Sequence, residues 1–268
     1  MSKDINETIK WLEDVRKEGA GKVFTMYLNT DPSDPDQQGD EWRIHLKNGL
    51  RNFDAYLQQD DNKEELENFL KIKEKITNYI KEEETNLNRG VIAFASGDDD
   101  IWFVKNVQMR VDNEFYWKET PELNQLIELK EAYPKIGIVL VQQNQVKVIS
   151  SESNRILDTN YFELDVETEA WRVKQGPRNV SAAGARGPNV QKDNFESRYS
   201  ANIQRWYKKI APKLDKLAKD NEWEKIYIVG EADGATELSK QMNKPIEQVV
   251  QKNMLDHDEN KVLEEVLA

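Results

Sequence analysis

The chain has 268 residues, 38% of them apolar and 33% charged, with a net charge of −12. That length suffices for two domains, and the absence of cysteine excludes disulfides and thiol catalysis, while two histidines, His45 and His257, exclude a His/Cys zinc site. No apolar run approaches the roughly 20 residues of a membrane helix, and the N-terminus MSKDINETIKWLEDVRKE lacks the apolar stretch of a signal peptide, so a cytoplasmic protein with no membrane partner is expected.

Ile5, Ile9, Leu12 and Val15 recur at helical spacing and predict a helix over 4–18. KVFTMYLNT reads as a buried strand, and DPSDPDQQGD as a loop of turn residues. Two amphipathic helices follow, the first with Trp42, Leu46, Leu50, Phe53 and Leu57 on one face, the second with Leu66, Phe69, Ile76 and Ile80. GVIAFAS and IWFVKNVQMRV flank GDDD in a hairpin pattern. Thr120-Pro121 has the form of a helix start, which would turn Leu123, Leu126 and Ile127 inward. A domain boundary is placed at Pro134.

KIGIVLVQQNQVKVIS reads as two strands about a Gln143-Asn144 turn, and RILDTNYFELDV as a third. After Trp171 some 25 residues show no periodicity. Ile203, Trp206, Tyr207, Ile210, Leu214 and Leu217 then mark a helix in which Pro212 predicts a kink. KIYIVG is a strand, ATELSKQM a helix, and IEQVVQKNML is ambiguous. The order predicts an α+β protein. Residues 1–134 form an N-terminal α/β domain. Residues 135–268 form a ribonuclease-H-like mixed-sheet domain with a long basic loop and a short C-terminal tail.

From Trp171 to Lys209 stand Arg172, Lys174, Arg178, Arg186, Lys192, Arg198, Arg205, Lys208 and Lys209 against Asp193 and Glu196. Nine bases and two acids give +7, leaving −19 for the rest of the chain. A basic patch on an acidic body suits local docking to phosphate, not general nucleic-acid binding, and DNA is not expected as a partner. Gly176, Gly184 and Gly187 permit backbone shapes that other residues resist, and arginine presents a planar donor fork. Other features yield to plainer readings. A hairpin turn accounts for GDDD, and a strand-to-helix turn for GEADGAT, which lacks the Gly-Lys-Ser/Thr of a phosphate loop. Asp158 and Asp165 read as strand-edge acids, since nothing brings further carboxylates to them for a two-metal site. Trp171 and Trp206 read as core, with base stacking the alternative for Trp171 at the loop's root. No metal and no cofactor is expected.

FTMYLNT followed by WRIHLKNGL, GVIAFAS followed by IWFV, TPELNQLIEL leading into IGIVLVQQNQVKVI, and EAWRVKQ leading through the loop into YSANIQRWYKKIAPKL occur in an order spanning nearly the whole chain. In that order the sequence resembles bacterial relatives of the archaeal and eukaryotic peptide-chain release factors, specifically the Vms-like release factor group. The resemblance implies a loop with a Gly-Gly-Gln or Gly-Ser-Gln tripeptide that enters the peptidyl-transferase centre of the large ribosomal subunit and promotes hydrolysis of peptidyl-tRNA. Registered by distance from Ile203, that tripeptide falls on Gly184, Ala185 and Arg186, with arginine where the family has glutamine. Gln191 lies nearby in another register. Arg172, Lys174, Arg178, Lys192 and Arg198 then become candidate RNA contacts. Nothing here matches the stop-codon-reading NIKS motif, and only NMLDHDENKVLEEVLA stands where a factor-recruiting domain would follow. The resemblance therefore implies a monomer acting in ribosome rescue or quality control. It hydrolyses peptidyl-tRNA or, as the alternative, occupies the A site without hydrolysis.

Overall fold

The structure, a computed structural model, describes residues 5–37, 39–60, 62–165, 167–174, 176 and 190–267, with the backbone alone for 190–200. The chain divides into two compact units, Met1–Tyr133 and Pro134–Ala268. Each is a sheet with helices on both faces, and together they make a mixed α+β protein.

The N-terminal unit runs α1 (Ile5–Glu13), β1 (Val23–Asn29), α2 (Trp42–Leu57), α3 (Lys63–Glu83), β2 (Gly90–Ser96), β3 (Trp102–Val107), β4 (Glu114–Lys118) and α4 (Asn124–Ala132). Its sheet has the order β3-β2-β1-β4, with every pairing antiparallel. VFTMYLN reads as a continuous apolar run because β1 is buried on both sides. Phe24, Met26 and Leu28 pack beneath α2 and α3. Val23 and Tyr27 pack beneath α1 and α4. α1 is shorter than its periodicity predicts, ending at Glu13, and the chain beyond is held where the Lys17 amide donates to the Glu119 carbonyl at 2.7 Å. β4, five residues with Phe115, Tyr116 and Trp117 between two charged ends, has no counterpart in the sequence reading. α4 begins at Asn124 and not at Pro121. Residues before it are tied to β1 instead, the Glu122 amide donating to Thr25 Oγ1 at 3.1 Å and Tyr27 OH to the Glu122 carbonyl at 2.9 Å. The later start turns Leu126 and Leu129 inward and leaves Ile127 36% exposed.

The C-terminal unit runs β5 (Ile136–Gln142), β6 (Gln145–Glu152), β7 (Arg155–Asp165), β8 (Ala170–Lys174), α5 (Val190–Asp220), β9 (Lys225–Gly230), α6 (Ala232–Gln241), β10 (Gln248–Val250) and α7 (Glu259–Leu267). The sheet order is β10-β9-β5-β6-β7-β8. β5 to β8 form an antiparallel meander, while β9 and β10 join parallel to β5, which is the expected ribonuclease-H-like arrangement with β8 added at the edge. Alternation along β5 sends Val139 and Val141 under α5 and α6, and Ile136, Ile138 and Leu140 under α7. α5 runs on through Pro212 as one helix. Gly137 is required by space, since a Cβ there would lie 2.1 Å from the Trp223 ring. Gly137→Ala is expected to cost about 1–3 kcal/mol, the usual penalty for overpacking, read as a lower urea midpoint at unchanged slope.

The expected C-terminal tail contains α7, which buries Val262, Leu263 and Val266 against the sheet. A polar pin holds it there. Lys147 on β6 is only 4% exposed. Its Nζ lies 2.8 Å from Glu259 Oε1 and donates to the His257 carbonyl at 2.9 Å, while Tyr161 OH donates to Glu259 Oε1 at 3.2 Å. Burial alone would raise the Glu259 pKa, but the Lys147 hydrogen bond and charge outweigh it and hold the carboxyl below its ordinary value. Because the folded pKa is lowered, this contribution is present above the unfolded value of about 4.3 and is lost as pH falls below it. Glu259→Gln should therefore lower stability at pH 7 by roughly 1–3 kcal/mol, the cost of stranding a buried polar partner. The difference from wild type should shrink in urea melts taken below about pH 4.

Candidate functional site at the root of the basic loop

The stretch between β8 and α5 contains Arg178, Gly184, Ala185 and Arg186, which lie outside the described residues. Gln191, Lys192 and Arg198 fall in the first turns of α5, where the backbone is described and the side chains are not. What the structure describes is the root from which this stretch departs.

β8 follows β7 through a turn carrying Glu169, whose φ is 52°. β8 then turns Trp171 into the core, where it is 6% exposed and packs on Tyr207 with ring centroids 6.4 Å apart. Its indole Nε1 donates to the Trp206 carbonyl at 2.9 Å. α5 returns the grip with three cations spaced one turn apart. Arg205 pairs with the Glu169 carboxylate. Lys209 Nζ donates to the Glu169 carbonyl at 3.1 Å and to its carboxylate at 3.2 Å. Lys213 Nζ donates to the Trp171 carbonyl at 3.0 Å. The hydrogen bond from Lys209 is the main reason that the Glu169 pKa is lowered. Tyr207 OH reaches the opposite end of the sheet's first hairpin, donating to the Gln143 carbonyl at 3.0 Å in a turn where Gln143 has φ 49°. Beyond Lys174, Gly176 has φ 77°, a backbone conformation that glycine adopts readily, and among the described residues nothing lies within 4 Å of a Cβ built on it.

This geometry redistributes the +7 read from the sequence. Arg172 Nη2 lies 2.6 Å from Asp165 Oδ2, and Lys174 Nζ 3.1 Å from Glu163 Oε2. These are diagonal cross-strand pairs, on the face of β8 opposite Trp171. Arg205 and Lys209 are both occupied by Glu169. Residues 161–170 contribute four acids, so the interval 161–209 carries only +3. The Asp165 pKa is lowered chiefly by backbone and side-chain hydrogen bonds from Thr168, with the Arg172 charge adding to them. The structure thus separates the candidate cations. Arg172 and Lys174 sit on one face of the edge strand, 66% and 35% exposed along their side chains. Arg205, Lys209 and Lys213 belong to the clamp on the other face. Exposed pairs such as Arg172–Asp165 contribute about 0–1 kcal/mol and exchange readily for a phosphate partner.

Asp158 accepts from Asn160 Nδ2 at 2.6 Å, and Asp165 is held by Thr168 and Arg172, so the two acids serve separate local networks. Trp206 is fully buried, as is nearly all of Trp171, and both are core residues. Glu169 and Lys213 did not stand out in the sequence as part of this site. The signal for Lys213 was its place in the series Arg205, Lys209, Lys213, four residues apart on α5.

Residues 134–268 match the family described as bacterial archaeo-eukaryotic release factor family 5. The chain is 35% identical over 265 residues to the uncharacterized protein YocB of Bacillus subtilis (strain 168), covering 98% of each. Among solved structures it is similar to the archaeal translation termination factor aRF1, at 10% identity and a TM-score of 0.33 over 98% of this chain and 72% of that one. It is also similar to a structure titled only as an archaeal protein, at 12% identity and a TM-score of 0.31 over 94% and 67% of the two chains. Among the described residues no helix is long and apolar enough to cross a membrane. By the profile match over its C-terminal half and by near-full-length identity to a bacterial relative, the chain belongs to the bacterial archaeo-eukaryotic release factor family and is a release-factor-like protein.

Proposed function

We propose that the protein acts on the ribosome in rescue or quality control, hydrolysing peptidyl-tRNA through the loop between β8 and α5. Gly184, Ala185 and Arg186 would stand at the ester, with Gln191 close by in sequence. Arg178, Lys192 and Arg198 would contact tRNA or ribosomal RNA, with Arg172 and Lys174 in reserve at the root. The observation that carries this reading is the clamp. In a family-matched unit, Trp171, Glu169, Arg205, Lys209 and Lys213 fasten β8, which leads into a basic, glycine-bearing segment, to the middle of α5, the helix into which that segment runs. A loop that must present its tip at a fixed place requires such a base.

Arg186, at the position of the family's glutamine, supports the second reading, non-hydrolytic occupancy of the A site. Glutamine both accepts a hydrogen bond from an attacking water and donates one, whereas arginine only donates. Arginine at this position can hold the phosphates of the tRNA acceptor end. A release assay on purified ribosomes carrying labelled peptidyl-tRNA separates the two readings. Peptide released above the no-protein control supports hydrolysis. Ribosome binding without release supports occupancy, and absence of binding removes both.

A further inference from the structure

Among the described residues the two sheets end in four strands, β3 and β4 in the N-terminal unit and β8 and β10 in the C-terminal one. An edge strand presents unpaired N–H and C=O groups, and chains usually guard it with a charge inside the strand, a proline or a bulge. β3 carries Lys105 within its span, β8 carries Arg172 at its middle, and β10 is only three residues long. β4 has none of these guards. Its residues Glu114, Phe115, Tyr116, Trp117 and Lys118 place three aromatic rings at the centre and opposite charges at the two ends. It pairs with β1 in unbroken register, from Val23 opposite Lys118 to Tyr27 opposite Glu114, and among the described strands nothing pairs with its other side.

Alternation divides the side chains of β4 between two faces. Phe115 and Trp117 lie on the face of α2 and α3, where Phe115 rests against Gly49 and Trp117 Nε1 donates to Glu65 Oε1 at 2.7 Å. Both rings remain only partly buried. Glu114, Tyr116 and Lys118 form a row on the opposite face. There Lys118 Nζ lies 4.5 Å from the centre of the Tyr116 ring. Lys118 also pairs with Glu122 at 2.7 Å, yet its side chain stays 50% exposed.

This pattern is its own complement. Set antiparallel to a second copy about Tyr116, Glu114 falls opposite the partner's Lys118 and Phe115 opposite the partner's Trp117, while Tyr116 meets the partner's Tyr116. Each charge meets its opposite, and each ring meets a ring, the combinations that stabilise cross-strand pairs. The other long edges lack this property. β8 set about Arg172 opposes arginine to arginine, and neither β3 nor β8 contains an acid for its lysine to meet.

We infer that the protein forms a symmetric dimer through β4, in which the four-stranded N-terminal sheets of two copies join into one continuous sheet. The two-fold axis of such a pairing runs perpendicular to the sheet, so the α2 helices of both copies lie on the same face. Tyr56, 66% exposed, stands about 20° round α2 from Gly49, the residue that touches β4. An exposed aromatic thus lies on the flank where the second copy docks. The dimer departs from the monomer that the family resemblance implies. It rests on the N-terminal unit alone and stands if the reading of the basic loop fails.

Sedimentation velocity of the full chain should show a dimer whose fraction rises with concentration. Glu114→Lys sets lysine against the partner's Lys118, and Lys118→Glu sets glutamate against the partner's Glu114. Either change turns two attractive cross-strand pairs into two repulsive ones and should weaken association about tenfold or more. Mixing the two variants restores opposite charges at every position, so the mixture should dimerise although neither variant does so alone. That rescue separates a lost interface from a lost fold. The chain has no cysteine, so a single introduced thiol reports cleanly. Tyr116→Cys should be joined to its partner by a short bis-maleimide, and Lys105→Cys on β3 should not. A chain that stays monomeric at every accessible concentration overturns the proposal. So do dimers unaffected by both reversals, reversals that mixing fails to rescue, and cross-linking at 105 as efficient as at 116.

Discussion

Gly184→Val should abolish peptide release from ribosome–peptidyl-tRNA complexes, and Arg186→Gln should raise it. Ester hydrolysis needs an oriented water and donors directed at the developing oxyanion, and loss of one such donor costs about 10²–10³ in rate. A backbone N–H supplies the donor whatever the side chain, provided that the backbone takes the required shape. A β-branched residue resists the left-handed and extended conformations open to glycine, so Val at 184 denies that shape. Arg186→Ala should cost little if only the backbone N–H matters, and much more if the guanidinium orients the tRNA end. Arg186→Gln restores a group able to accept from water. If the protein is a non-hydrolytic occupant, the wild type releases nothing and Arg186→Gln creates activity from that baseline. Wild-type release as fast as that of an intact Gly-Gly-Gln factor would sink the occupancy reading.

Replacing Arg178, Arg186 and Lys192 together with Ser should cut co-sedimentation with ribosomes by about 10–100-fold near physiological salt, because each phosphate contact adds about 0.7–0.9 to the salt slope. The geometry at the root supplies the control. Arg172 and Lys174 are already neutralised by Asp165 and Glu163, so their replacement by Ser removes a contact and frees a carboxylate at once. That variant should lose several-fold at most if the loop makes the principal contact. Equal losses in the two variants would move the interface from the loop to the face of β8. No loss in either would remove both from it.

β5, β6, β7 and β9 of the C-terminal sheet were legible because they are apolar runs separated by clear turn signals, whereas β10, three residues long, lay in a stretch that the sequence left ambiguous. VFTMYLN and GVIAFAS in the N-terminal unit were legible for the same reason, being central strands buried along their whole length. The elements that escaped are short and lie at edges. EFYWK and AWRVK are five residues each and pair on one side only, so neither needs the continuous apolar pattern of a central strand. Glu259–Leu267 was read as part of the tail; its nine residues give about two and a half turns, and they follow a stretch of ambiguous pattern. Within the site, the basic residues and glycines were visible as composition. Their partners were not. Glu163, Asp165 and Glu169 precede the basic run in sequence, and only strand pairing and the return of α5 bring opposite charges together. Net charge along a window therefore overstated the free positive charge at the root.

The clamp between β8 and α5 has a thermodynamic consequence for evolution. Trp171, Glu169 and Lys213, which lie outside the intervening segment, join β8 to the middle of α5, so the elements on either side of that segment are fixed without it. Once the ends are fixed, lengthening a connection is cheap, each doubling costing only about 0.6 kcal/mol in closure entropy. Insertions between Gly176 and Val190 are therefore expected to change the stability of the unit by only a few tenths of a kcal/mol, which urea melts of insertion variants would check. On the proposed reading, arginine at 186 in place of the family's glutamine is likewise a change within the segment, one that alters its chemistry and leaves the clamp as it is.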